Sequence, residues 1–392
     1  MENIFFEITV ILAIASILAI IFRIFRQPAI LAYIVTGIII GPFGQFQLQN
    51  GEVLKAMGEF GIALLLFILG LEFRLGELRI VGKSSLFIGV AQLFITSILG
   101  YGIVHFFGFS TMSALYMSIG MALSSTVFVV TLMSDAKNLT SALTSAHAKL
   151  TIGILLVQDI VAVLALMLLS GSTSFEPGFA LLRGIMLFAF VLLVSKTMLP
   201  RVARLLSDMP DTLFLCSLAW AFGLSLVASS SLVGMPIAIG GFLAGISLSN
   251  VVHSQHIVAR GRTLRDFFMI MFFVTLGMQT GIGSVQSFFP IIALTVFVLV
   301  GKPLIVMAIM TIMGHSRKTA FLTGLSLGQI SEFSLLLMLL GVRLHHVSQE
   351  ITSIFTFVGI VSFLFSTYAI TYGEQLYIRL EAFLHDIKVS FQ

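Results

Sequence analysis

An all-α polytopic membrane protein with two inverted-topology repeats is the fold the sequence predicts, and three observations carry that expectation. Of the 392 residues, 58% are hydrophobic and only 10% charged, with a mean hydropathy of +1.11. So few charges could not cover a soluble globule of this size. The apolar runs are continuous, about 20 residues each, and lack the period-two alternation of a membrane barrel, so each satisfies its own backbone as a helix. Thirdly, short motifs of Pro, Gly and polar residues recur in both halves of the chain. The lone Cys216 lies inside an apolar run and leaves no disulfide.

About thirteen spans follow, centred near residues 13, 35, 64, 95, 123, 159, 189, 221, 241, 271, 300, 330 and 361. The first begins almost at Met1, with acids rather than basic residues before it and no small-residue cleavage site, so it reads as a retained helix. An odd count puts the termini on opposite sides. With the N-terminus outside, Lys55, Arg183 and Arg343 fall outside and Lys302 within a span, leaving 17 of the 21 Lys and Arg inside. That asymmetry is the positive-inside pattern. The net charge of +4 is therefore topology rather than nucleic-acid binding. It implies a multi-pass chain in contact with lipid, in a bacterial inner membrane, with a cytoplasmic C-terminus.

The internal repeat is read from two pairs of spans. PAILAYIVTGIII begins at Pro28 and PIAIGGFLAGISL at Pro236, and Gly37 and Gly245 hold matching places in them. FILGLEF and VTLGMQT pair Gly70 with Gly277 and Glu72 with Gln279. An odd number of spans separates each pair, so the copies run in opposite directions, as in secondary transporters whose sites lie between the repeats. Repeat one covers about 1–171, a linking helix about 179–200 and repeat two about 211–373. The tail from 374 to 392 reads as an amphipathic helix at the inner surface, with Leu376, Leu380, Phe383 and Ile387 at helical spacing.

The same offset pairs Ser124 with Glu332. Both lie in polar islands, ALSSTVFV at 122–129 and SLGQISEF at 326–333. Ser124, Ser125, Thr126 and Gln329 suit helices broken within the membrane, where small and polar side chains re-satisfy freed backbone groups. Two crossing breaks would aim helix ends at one point. Ordinary packing of small residues is the alternative reading.

Near the middle of a span stand only two of the 17 acidic residues, Asp159 and Glu332, and one basic residue, Lys302. A central charge costs roughly 2.5–3.5 kcal/mol on insertion scales, so it marks a substrate or proton site. A carboxylate in a partly dry setting holds either a proton or a cation, rarely both. Asp159 is accordingly the expected carrier. Gln158 beside it adds amide groups without charge, and helical neighbours point about 100° apart, so only one of the two need face an ion. Lys302, ahead of Pro303, is expected to pair with Glu332 or Asp159; snorkelling to an edge or a purely structural role is the alternative. His345 and His346 lack the spacing of a zinc helix. His253 and His256 lie with Arg260, Arg262 and Arg265 in a topogenic inside loop.

ALSSTVFVVTLM at 122–133, LLVQDIVAV at 155–163, GFLAGISLSN at 241–250, FFVTLGM at 272–278, LGQISEFSLLL at 327–337 and FILGLE at 67–72 together closely resemble the membrane domain of Kef-type monovalent cation:proton antiporters. The resemblance runs in order along nearly the whole chain. It implies thirteen helices in two inverted repeats, a mobile core domain beside a dimerisation domain, and a homodimer working by an elevator-like motion. It makes Asp159 the shared ion and proton carrier, the spans near 123 and 330 the crossed broken helices, and Lys302 the basic residue of the core. Gln-Asp resembles the potassium-linked branch, with sodium/proton exchange as the rival. The chain ends without the nucleotide-binding regulatory domain of full-length relatives, which leaves room for a cytoplasmic regulatory domain or subunit. No enzyme activity, resident cofactor or bound metal is expected beyond the transported K+ or Na+ and H+. A gated cation channel and an organic-anion symporter are the rivals from other classes.

Overall fold

The computed structural model describes residues 4–41, 50–72, 78–134, 145–169, 177–230, 232–249, 251, 254–280 and 288–390. Arg74, Lys137, His253 and most of the polar segment between Ser134 and His147 fall outside them. The described elements are helices: α1 (Ile4–Ile24), α2 (Ala29–Ile40), α3 (Gly51–Glu72), α4 (Leu78–Phe106), α5 (Thr111–Ala122), α6 (Thr126–Ser134), α7 (Ala146–Leu169), α8 (Pro177–Thr197) and α9 (Leu199–Leu205). There follow α10 (Pro210–Ser229), α11 (Ile237–Leu248), α12 (Ser254–Gln279), α13 (Phe288–Val296), a π-helical turn (Phe297–Gly301), α14 (Lys302–Ile312), α15 (Arg317–Ser326), α16 (Glu332–Arg343), α17 (Gln349–Thr371) and α18 (Gly373–Ser390).

Among the described residues, nine helices or joined helix pairs are long and apolar enough to cross a membrane. The remaining expected spans coincide with α2, α11, α12 and the α15–α16 pair. The starts of these helices follow ordinary rules. Ser110, Ser316 and Ser348 each accept a bond from a backbone N–H three residues on, which caps α5, α15 and α17. Proline opens α8 and α10, where a missing N–H costs nothing.

The chain divides into two compact units. The first comprises Met1–Ile21, Ala32–Ile80 and Val163–Gln279. Its packing rests on glycine, because between helices in lipid the drive is close van der Waals contact rather than expulsion of water. A Cβ at Gly37 of α2 would lie 2.8 Å from the Cα of Gly277 in α12, and one at Gly245 of α11 would lie 2.8 Å from the Cα of Gly70 in α3. The two crossings are copies of one another with the repeats exchanged: each joins the first motif of one repeat to the second motif of the other. The recurrence of Pro and Gly noted in the sequence thus has a packing cause.

A methyl at Gly245 would collide with the backbone of Phe67 as well as Gly70. Backbone cannot rotate away as a side chain can, so Gly245→Ala is expected to destabilise by about 3 kcal/mol or more, at the upper end of overpacking costs. Gly223 of α10 has nothing within 4 Å of its Cβ position, so Gly223→Ala serves as the silent comparison. Loss of the monodisperse peak on heating, followed by size-exclusion chromatography in detergent, measures both.

The second unit comprises Phe22–Leu31, Val81–Ala162 and Thr280–Gln392. Its apolar core joins Ile88, Phe128, Val129, Ile154, Leu155, Val306, Met310, Leu327 and Phe363. The long helix α7 supplies Ile154 and Leu155 immediately before Gln158 and Asp159, so that core fixes the carboxylate's helix. The tail helix α18 rests on α15 through an exposed ion pair of Lys318 with Glu374 at 3.1 Å and a ring contact of Phe321 with Tyr377. Exposed pairs of this kind hold little energy. Leu376 and Leu380 of the expected amphipathic stripe are exposed, and the side chains of Phe383 and Ile387 fall outside the described ones.

Candidate functional site

Both polar islands are helix breaks. The helix α5 stops at Ala122 because Leu123 is extended (φ −80°, ψ 147°), and α6 restarts at Thr126. In the second copy α15 stops at Ser326 and α16 restarts at Glu332. The breaks touch. The Ser124 hydroxyl donates to the Leu327 carbonyl at 3.0 Å, and the Ser334 hydroxyl to the Gly120 carbonyl at 2.7 Å. Four helix ends therefore converge in the second unit: the C-terminal ends of α5 and α15, rich in free carbonyls, and the N-terminal ends of α6 and α16, rich in free N–H groups.

Charges are distributed over these ends as the helix dipole prefers, negative at N-termini and positive at C-termini. Asp159 is 4% exposed and its Oδ2 accepts the hydroxyl of Thr126, the first residue of α6, at 2.8 Å. Glu332 is the first residue of α16, buried, and close enough to Asp159 for the two carboxyls to interact through space. Lys302 is completely buried, and its Nζ donates to the Leu123 carbonyl at 2.7 Å and the Gln329 carbonyl at 2.9 Å.

The partners of Lys302 differ from the expected acid. The ion pairs of the described residues join Arg260 to Asp211, Arg262 to Glu72, Arg265 to Asp266 and Lys318 to Glu374; Lys302 is in none of them. Its ammonium bridges the two breaks instead. The reason is geometric. Pro303 has no N–H to offer the preceding turn, and that turn widens to a π-helix at Phe297–Gly301, ending with Lys302 N–H on the Phe297 carbonyl. Against this stretch lie Gly324 and Gly328, whose Cβ positions would fall 2.8 Å from the Pro303 carbonyl oxygen and 3.1 Å from the Pro303 ring, so α14 approaches the second break closely. Two carbonyl dipoles at helix C-termini then take the place of a carboxylate.

Most of the other expected residues hold the breaks together. The Ser125 hydroxyl accepts the Phe128 N–H and caps α6. Gln158 Oε1 accepts the Ser124 N–H at 2.9 Å. The Gln329 side chain donates to the Ser326 carbonyl and accepts from Ser366 of α17. Among the expected residues, the side chain bonded to the Asp159 carboxylate is Thr126. Asp159 and Thr126 thus form a carboxylate–hydroxyl pair at a helix N-terminus, an arrangement of oxygens able to hold a proton or a small cation.

The supporting residues Gln92, Ser334, Ser362 and Ser366 are not among those the sequence reading singled out. Gln92 donates to the Ala122 carbonyl and accepts from Gln158, and the Ser362 hydroxyl accepts the Ile330 N–H. The signal that could have found Gln92 is its place four residues before Thr96 inside an apolar run, where two polar side chains share a helix face.

Crossed helix breaks joined by a buried lysine, beside a buried carboxylate and within an inverted repeat, define the architecture of secondary ion exchangers. The comparisons agree. Residues 10–371 match the family model described as "Sodium/hydrogen exchanger, transmembrane", and the chain belongs to that family. It is 29% identical over 359 residues to K(+) efflux antiporter 4 of Arabidopsis thaliana, covering 88% of this chain and 60% of the relative. It is 27% identical over 357 residues to K(+)/H(+) antiporter subunit KhtU of Bacillus subtilis, covering 87% of each. The fold matches that of the sodium proton antiporter MjNhaP1 from Methanocaldococcus jannaschii with a TM-score of 0.70 at 18% identity, over 95% of this chain and 97% of the other. The chain spans about 60% of the length of the plant relative.

Proposed function

We propose that this chain exchanges potassium for protons across a membrane, with Asp159 carrying either ion in turn. The single observation that supports the reading most is the pair of Asp159 and Thr126 at the start of α6. The dipole of α6 favours the ionised carboxylate that a cation requires, while the apolar surroundings favour the neutral form that a proton supplies. Loading with one ion therefore excludes the other. If only the loaded site changes the side it faces, flux of one ion drives flux of the other. The pair and the groups bonded to it belong to one compact unit, so such a change would carry the site intact.

Potassium is favoured by the names of the relatives, both of which are potassium antiporters. The fold likeness to a sodium proton antiporter keeps sodium as the second reading. We further place the N-terminus outside and the C-terminus in the cytoplasm of a bacterial inner membrane, with the chain as a homodimer. The greater length of the plant relative leaves place for a cytoplasmic regulatory domain or subunit that would act through α18.

Proteoliposomes loaded with a pH dye test the ion. Potassium added outside is expected to raise internal pH or lower it according to the gradient imposed, at a half-saturating concentration several-fold below that of sodium. A response to sodium alone replaces potassium with sodium in the proposal. Tracer potassium that crosses with no proton movement overturns exchange in favour of a channel.

A further inference from the structure

Gln158 stands beside the proposed carrier, yet both ends of its amide are already committed. Its Oε1 accepts the Ser124 N–H at 2.9 Å, and its Nε2 donates to Gln92 Oε1 at 2.6 Å. Gln92, on α4 and completely buried, passes the bond on. Its Nε2 donates to the Ala122 carbonyl at 3.0 Å and to the Thr96 hydroxyl at 3.1 Å. The two amides thus form a closed bridge from the last carbonyl of α5 to the N–H of Ser124, spanning the one extended residue, Leu123, that breaks the helix.

The bridge has a fixed polarity. A backbone N–H at one end demands an oxygen from Gln158, which turns its nitrogen toward Gln92; that in turn demands the oxygen of Gln92 and leaves its nitrogen for the Ala122 carbonyl. Neither amide can flip without leaving two buried groups facing like partners. The close approach of α4 and α7 that this requires is provided one turn away, where a Cβ at Gly89 would already lie 3.0 Å from Val157 Cγ1. Freed backbone groups on both sides of a break must find partners when buried, and here they find these two side chains.

We infer that Gln92 is a positioning residue for exchange: together with Gln158 it clamps the first break, and so holds the Thr126 hydroxyl against Asp159. The inference rests on reading Asp159 as the carrier. Gln158 then serves the break rather than the ion, and the strength of cation binding depends on a residue of α4 that never touches the ion.

Gln92→Met keeps the length and loses every polar atom. The expected result is a half-saturating cation concentration raised about tenfold, as the loss of one buried amide pairing would give, with the maximal rate changed much less. Because the two amides act as one bridge, the double variant Gln92→Met with Gln158→Met should cost no more than the worse single variant, whereas independent roles would multiply. Gln92→Glu gives a second reading if the methionine variant does not yield monodisperse protein. A neutral carboxyl still accepts from Gln158 and donates to Ala122, but an ionised one has no proton for that carbonyl, so the ratio of variant to parent half-saturation should grow as pH rises. A pH-independent ratio, or a Gln92→Met variant that matches the parent while Asp159→Asn is inactive, overturns the clamp alone. Exchange that survives Asp159→Asn overturns the carrier reading, and the clamp with it.

Discussion

Asp159→Asn is expected to abolish cation-driven proton movement in proteoliposomes while leaving the protein folded. Asparagine has the same shape and its amide oxygen can still accept the Thr126 hydroxyl, so the bond at 2.8 Å survives. The substitution removes the ability to hold a proton or to neutralise a cation, and it removes an ionisable group from an apolar setting together with its electrostatic conflict with Glu332. Burying a neutral amide costs less than burying a charge, so the thermal midpoint should stay level or rise. Exchange at the level of empty liposomes with unchanged or higher stability is the signature sought. Exchange at the parent rate would move the carrier to another residue, and Glu332 would be the first to test.

Lys302→Met is the second large effect, and its sign is opposite on stability. Methionine fills nearly the same volume, but the carbonyls of Leu123 and Gln329 lose their shared donor. Each unpaired buried carbonyl costs about 1–3 kcal/mol, and removal of a desolvated ammonium returns part of that. The balance is a net loss of about 2 kcal/mol, read as a lower temperature for loss of the monodisperse peak in detergent. Exchange should fall by at least about tenfold, because 1.4 kcal/mol of misplaced break geometry suffices for that factor. Lys302→Arg is not a rescue: a planar fork cannot sit where one compact ammonium reaches two carbonyls. A Lys302→Met variant that is both stable and fully active would show that the breaks hold each other without the lysine.

The charged skeleton of this site was legible in the sequence because hydropathy makes an acid or a lysine conspicuous in an apolar run. Asp159, Glu332 and Lys302 stand out on that ground alone, and Gly37, Gly70, Gly245 and Gly277 stand out through their spacing. What Lys302 bonds to was not legible. Its partners are backbone carbonyls, and every residue carries one; only the folded break decides which are free. The same reason hides the employment of Gln158 and Gln329. An amide can serve an ion or a helix end, and their sequence neighbours do not distinguish the two. Gln92 was missed because a single neutral side chain barely lowers the hydropathy of its run, although its importance follows at once from the extended Leu123 across from it.

The glycine crossings of the first unit have an electrical meaning. At Gly37 on Gly277 and at Gly245 on Gly70 the helix backbones touch directly, and contact of that kind leaves no room for a file of water. A membrane protein that lives by a stored ion gradient must not short-circuit it. Each crossing works as an insulating weld, and a bulkier residue that pries one open would be expected to leak current before it unfolds the chain.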